Sequence, residues 1–190
     1  MNLRHPLILA SNSPRRQQLL REAGFNFEVY TEQVDESYPA ALEKTGVGEY
    51  LARKKSAFYC KKLSNAIIVT ADTTVVLDNQ LLEKPADEKE AFEMLTRLSG
   101  RSHDVITGVC IAAPDGTDAF SVSTRVTFKG LTNGEIDYYI SNYKPFDKAG
   151  AYGIQEWIGM IGITGIEGSY FNVVGLPIQE VYQRLLKYRL

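Results

Sequence analysis

The first apolar run, Leu7 to Ala10, gives way to Ser11-Asn12, and beyond Ser13-Pro14-Arg15-Arg16 the apolar Leu19 and Leu20 return together before Gly24. The pattern predicts a buried strand over Leu7–Ser11, a helix over Pro14–Ala23 closed by Gly24, and a short strand over Phe27–Tyr30. From Val47 to Leu63 the apolar Tyr50, Leu51, Ala57, Phe58 and Leu63 recur at helical spacing, with a basic polar face of Arg53, Lys54, Lys55, Lys61 and Lys62. The run Ala66–Ala71 predicts a buried strand that ends at Asp72, and Thr74–Leu77 with Gln80–Leu82 flank Asp78-Asn79 as a hairpin. Asp87–Leu98 reads as a helix with Phe92, Leu95 and Leu98 on one side and Gly100 beyond its end. His103–Ala113 and Ala119–Phe128 read as longer strands around Pro114-Asp115-Gly116, paired antiparallel. Thr132 and Glu135 form a capping-box pattern for a helix to about Ser141. Lys144–Gln155 reads as an ordered loop, and Met160–Ile166 with Tyr170–Val174 as another hairpin around Glu167-Gly168. Pro177 opens a final helix with Ile178, Val181, Tyr182, Leu185 and Leu186 on its packing face.

A chain of 190 residues fits one domain or two closely joined lobes, and neither a repeat nor a clear linker interrupts it. At 44% apolar and 23% charged residues it falls in the ordinary globular range, and no apolar run approaches a membrane span. The apolar segment after Arg4 and His5 is too short for the core of a signal peptide, which predicts a cytoplasmic protein. Cys60 and Cys110 lie in no CxxC or CxxxC spacing, so neither a zinc site nor a disulfide framework is indicated, and both are expected to be buried thiols. A net charge of -2 argues against coating nucleic acid. Any phosphate binding must be local.

One such place is the turn at 11–16. Ser13 can cap the helix and Pro14 suits its first position, so backbone N–H groups, the hydroxyls of Ser11 and Ser13 and the guanidiniums of Arg15 and Arg16 gather there. A well-capped surface helix with solvated arginines has the same pattern. Among the acids, Asp35, Glu36, Asp72 and Glu83 fall near strand ends or in loops. Singly, each also reads as a solvated or capping acid, but converging carboxylates need a hard cation such as Mg²⁺ or Mn²⁺, which ordinarily bridges them to substrate phosphates. Asp72 closes a strand as apolar as Ile67-Ile68-Val69, where a carboxylate requires a metal or lysine partner or serves as a general base. Arg15, Arg16, Lys55, Lys84, Arg101 and Lys148 come from separate segments and could screen the charge of a triphosphate. No Walker A, GxGxxG, HExxH or GxSxG pattern occurs, and His103, followed by Asp104, reads as a structural histidine.

These residues stand in a specific order of blocks: LASNSPRR at 9–16, VDE at 34–36, ADT at 71–73, LEKP at 82–85, SGRSHDVITGV at 99–109, DKAGAYGIQ at 147–155 and GSYFNVVGLP at 168–177. With them the chain resembles the Maf family of nucleoside triphosphate pyrophosphatases along almost its whole length. The resemblance implies an α/β fold of the Maf and inosine triphosphatase type: a long mixed sheet flanked by helices, in one domain over 1–190 with two lobes around a cleft. It also implies hydrolysis between the α and β phosphates with the help of a divalent cation, Mg²⁺ or Mn²⁺, and a homodimer. Asp72 matches the proton acceptor of the family, while Arg15, Thr73 and Gln155 match its base-choosing positions and resemble the subgroup acting on dTTP and UTP. A glutamine amide offers a donor and an acceptor to a pyrimidine edge, and threonine leaves room beside it.

The resulting expectation places Asp72, Glu83 and Lys84 in catalysis and Glu36, Asp72 and Glu83 at the metal. Ser11, Ser13, Arg15, Arg16, Lys55, Thr73, Lys148 and Gln155 hold the substrate. Two departures qualify the match, since Ser56 follows Lys55 where the family usually has alanine, and Glu156-Trp157 follow Gln155 where glycine is common. Trp157 is expected to pack on the following hairpin, the alternative being the rim of a base pocket. The competing functions are a nucleotide-responsive regulator of septum formation, which would need phosphate contacts but no general base, and a triphosphatase for non-standard purines. The expected partner is a nucleoside triphosphate, with no nucleic acid and no membrane.

Overall fold

A computed structural model describes residues 1–190. Its strands are β1 (Leu7–Leu9), β2 (Glu28–Val29), β3 (Ile67–Leu77), β4 (Gln80–Leu82), β5 (Ser102–Ala113), β6 (Gly116–Phe128) and β7 (Ile163–Glu167). The helices are α1 (Pro14–Glu22), α2 (Val47–Cys60), α3 (Glu88–Leu98), α4 (Asn133–Tyr143), α5 (Trp157–Gly162), α6 (Tyr170–Val174) and α7 (Ile178–Leu185). The strands form one mixed α/β sheet in the order β2-β1-β3-β5-β6-β7, with β4 paired to β3. β1 runs parallel to both β2 and β3, whereas β3–β4 and β6–β7 are antiparallel. β5 and β6 are neighbours joined across Pro114-Asp115, a connection short enough to require an antiparallel pair.

The chain divides into two compact units: residues 1–72, 107–122 and 175–190 in the first, residues 73–106 and 123–174 in the second. In the first unit, Ile8, Ala10, Tyr59, Ala66 and Ile68 form a buried cluster beside Phe58, Leu63 and Val34. α2 lies so close to β5 that a Cβ on Gly108 would stand 2.1 Å from the Glu49 amide nitrogen, which is why glycine occupies that position. In the second unit, α3 and α4 pack Ala91, Leu95, Leu98, Ile136 and Tyr139 against Val75, Leu77 and Val126. Asp87 caps α3 by accepting from the Glu90 amide at 2.8 Å, and the capping box of Thr132 and Glu135 opens α4 as expected.

Most predicted elements occur, and four readings are corrected. Asp72 does not end a strand: the runs expected at 66–71 and 74–77 are one strand of 11 residues, with Asp72 inside it. The hairpin at Asp78-Asn79 is present, both residues holding positive φ (51° and 59°) as a tight primed turn requires. The second expected hairpin is absent, because 157–162 and 170–174 are helices and β7 between them pairs with β6. Ser169 decides the later of these: its Oγ accepts from the Asn172 amide at 3.3 Å, an N-cap that overrides the β-propensity of Tyr170, Phe171 and Val173. Trp157 therefore packs not on a hairpin but against Tyr138 of α4, with ring centroids 4.7 Å apart. Of the cysteines, Cys110 is buried as expected and Cys60, the last residue of α2, is exposed.

Candidate active site

In the first unit, three ionisable residues from a loop, a helix and a strand meet. Lys55 leaves α2 toward β3, and its Nζ donates to Asp72 Oδ1 at 2.7 Å and lies 2.7 Å from Glu36 Oε1. Of the two kinds of cation expected to compensate Asp72, the chain thus supplies the lysine. The pair is well shielded, with the Lys55 and Asp72 side chains 14% and 19% exposed, while Glu36 is 56% exposed and open to solvent. Low exposure strengthens the attraction and removes competing water, so the Lys55–Asp72 pair is firmer than an ordinary surface pair.

The turn at 11–16 lies beside it. Ser13 Oγ accepts from the Arg16 amide at 3.4 Å and Pro14 stands in the first turn of α1, so the cap forms as the sequence implied. Arg16 is more engaged than the sequence suggested: Nε donates to Gly175 O at 2.8 Å, and Nη1 donates to Ala71 O at 2.8 Å and Ser11 Oγ at 3.3 Å. A planar fork of this kind ties the start of α1 to β3 and to the stretch that begins at Gly175. Burial draws the Arg16 pKa below its ordinary value, and the charges of Asp72 and Glu36 pull it back up. Arg15, next in α1, is partly buried.

The second unit holds the remaining candidates. Thr73 directly follows Asp72 in β3 and is partly buried, and Glu83 and Lys84 lie exposed just beyond β4. The Glu83 carbonyl accepts from the Gly150 amide at 3.1 Å, which joins the LEKP block to the loop at 144–155. That loop is ordered, as expected, around left-handed Gly150 (φ 69°) and Ala151 (φ 59°), and a side chain at Gly150 would press on Val75. Lys148 is 9% exposed, its Nζ 2.6 Å from Asp147 Oδ1 and 3.2 Å from Glu156 Oε1. Glu156 also accepts from the Tyr139 hydroxyl, and that hydroxyl accepts from the Gly153 amide at 3.0 Å. Gln155, between these anchors, is exposed. Arg101 is occupied elsewhere, in a two-pronged pair with Asp78 at 2.6 and 2.7 Å.

His103 is structural, as expected. It is 2% exposed, its Nε2 lies 2.7 Å from the Tyr152 hydroxyl, and its ring stacks on Phe128 with centroids 5.8 Å apart. Burial pushes its pKa down to about 4. Glu156 is the residue whose part the sequence did not disclose. A lysine buried as deeply as Lys148 demands an acid, but nothing in the spacing chooses Glu156 over its neighbours.

Three expected metal-binding acids are therefore distributed unevenly: Glu36 and Asp72 share Lys55 in the first unit, and Glu83 belongs to the second. No group of three or more His, Cys, Asp or Glu side chains is arranged to hold a metal ion. No helix is long and apolar enough to cross a membrane.

Residues 6–188 match the family described as Maf-like protein. A dTTP/UTP pyrophosphatase of Phocaeicola vulgatus is 50% identical over 186 residues, spanning 97% of this chain and 96% of that protein. One from Flavobacterium psychrophilum is also 50% identical, over 96% of this chain and 94% of its own length, and one from Porphyromonas gingivalis is 47% identical over 96% and 94%. Among solved structures, the Ham1 protein of Staphylococcus aureus aligns with 65% of this chain and 71% of its own, at a TM-score of 0.49 and 14% identity.

Proposed function

The chain belongs to the Maf family, and from that premise we propose that it hydrolyses dTTP and UTP between the α and β phosphates to the monophosphate and pyrophosphate. The observation that carries this reading is the triad of Lys55, Asp72 and Glu36 beside the cationic turn of Arg15 and Arg16. Water adds to phosphorus as the α–β bridging bond breaks, pyrophosphate departs with the bonding electrons, and the proton of the water passes to a carboxylate. Asp72 is the residue for that proton: Lys55 engages Oδ1, which leaves Oδ2 for the water. Lys55 fixes the carboxylate in place, and Arg15 with the N-terminal amides of α1 favours a phosphate there.

Glu36 and Asp72 also fit a divalent cation. They are hard oxygen donors already converging on one positive charge, and Mg²⁺ needs only one or two carboxylates when phosphates supply its other oxygens. When bound, such an ion screens the charge of the phosphates. Lys84, exposed and without a salt-bridge partner, is assigned to phosphate contact in the second unit, and Lys148, paired twice, to holding the loop before Gln155. Thr73 and Gln155 are assigned to base choice.

The test is a panel of normal and modified pyrimidine and purine triphosphates, with Mg²⁺ and with Mn²⁺, scored for pyrophosphate. UTP and dTTP should turn over faster than purine triphosphates. Asp72→Asn should fold normally and lose roughly 10²–10⁴-fold in kcat, because an amide accepts no proton and binds the cation poorly. Wild-type turnover in that variant, or orthophosphate as the product, would contradict the reading.

A further inference from the structure

Glu36 is held by something other than its own element. Residues 31–39 form neither helix nor strand, and the Glu36 side chain is 56% exposed. A glutamate in such a segment ordinarily samples solvent, since ordering one residue costs about 1–2 kcal/mol of backbone freedom. Its Oε1 nevertheless stands 2.7 Å from Lys55 Nζ.

The residues on either side explain this. Lys54 Nζ donates to Asp35 Oδ2 at 2.7 Å, to the Ser37 carbonyl at 2.7 Å and to Ser37 Oγ at 3.0 Å. Asp35 in turn accepts from the Ser37 amide at 3.0 Å and from Ser37 Oγ at 2.6 Å. Those bonds from Lys54 and Ser37 hold the Asp35 carboxyl well below the usual carboxylate range. Glu36 is the residue enclosed. Upstream, Tyr59 Oη accepts from the Glu32 amide at 2.9 Å and donates to the Glu32 carbonyl at 3.1 Å, a second attachment of the same segment to α2. Consecutive side chains diverge on an extended chain and turn by about 100° on a helix, so the doublet Asp35-Glu36 can meet the doublet Lys54-Lys55 one acid to one lysine.

We infer that Lys54 is a positioning residue: by gripping Asp35 and Ser37 it sets Glu36 against Lys55 and Asp72, without touching substrate itself. The inference rests on the function proposed above. An exposed ion pair with no such role contributes little to stability, and its removal leaves the rate unchanged. A grip on Glu36 has the opposite signature, a loss in kcat with little loss in stability.

Steady-state kinetics on UTP, scored for pyrophosphate, distinguish them. Lys54→Met and, separately, Asp35→Asn should each lower kcat roughly tenfold with KM changed less than about twofold, because a misplaced catalytic group costs rate before binding. Lys54→Arg, which can still reach Asp35 and Ser37, should retain most of the rate. In a Glu36→Gln background, Lys54→Met should cost less than about twofold more, since the group it positions is already lost. Asp35→Asn changes one exposed loop atom and keeps the test valid if Lys54→Met folds poorly. Unchanged kcat in Asp35→Asn and Lys54→Met, or a full tenfold loss from Lys54→Met in the Glu36→Gln background, would overturn the inference. A wild-type protein that releases no pyrophosphate would instead overturn the reading on which it rests.

Discussion

Arg16 illustrates how a residue picked out by its type takes on a second task from its surroundings. Arginine at a helix N-terminus suggests phosphate, yet Nε and Nη1 are committed to Gly175 O, Ala71 O and Ser11 Oγ. A lysine has no planar fork and cannot reproduce three donor contacts in two directions. Arg16→Lys should therefore cost about 1–3 kcal/mol in urea-denaturation stability, the range for leaving buried acceptors unpaired, and lower turnover as well. A variant as stable as the wild type would show that those carbonyls find water instead. Asp72 was legible from its neighbours alone, because an acid among Ile67, Ile68, Val69 and Ala71 must be compensated. Its partner was not legible as such: Lys55 is 17 positions earlier, one of three basic residues on α2, and only the way α2 lies over β3 selects it.

At the level of elements, α2 matters most because it supplies Lys54 and Lys55 and brings its backbone against Gly108 of β5. A Cβ on Gly108 would lie 2.1 Å from the Glu49 nitrogen and 2.2 Å from the Gly48 carbonyl carbon, both main-chain atoms that no rotamer change can move. Gly108→Ala should cost about 3 kcal/mol or unfold the protein, since overpacking against backbone has no cheap relief. Gly134→Ala at an exposed position of α4, where nothing lies within 4 Å, is the matched control and should gain about 0.5–1 kcal/mol from helix propensity. Equal thermal midpoints for the two variants would contradict the close approach of α2 and β5. Elements with strong local signals were legible: the Ser13 cap, the capping box at Thr132 and the Asp78-Asn79 turn all form. Where two local signals conflict, β-propensity misleads. Residues 157–162 and 170–174 are rich in β-formers, and short helices there depend on Ser169 and on packing that periodicity does not encode.

Across the whole molecule, each unit draws on separated stretches of chain, so its core is assembled from distant sequence. The order of blocks therefore identified the family more readily than any element identified the fold. The second unit offers a global test through His103. Its folded pKa of about 4 lies below the ordinary 6.5, so the folded state binds fewer protons than the unfolded state between those values. Stability is then fully present above pH 6.5 and falls as the pH drops toward 4, by about 2 kcal/mol between pH 7 and pH 5 at 1.36 kcal/mol per pH unit. The single tryptophan, Trp157, packs on Tyr138 in the same unit and reports its unfolding by fluorescence. His103→Gln should lose the Tyr152 contact and some stability at neutral pH, yet should flatten the slope between pH 7 and 5, because the proton acceptor is gone. If the slope persists in His103→Gln, other groups titrate in that window and burial of the imidazole is not what makes the fold acid-sensitive.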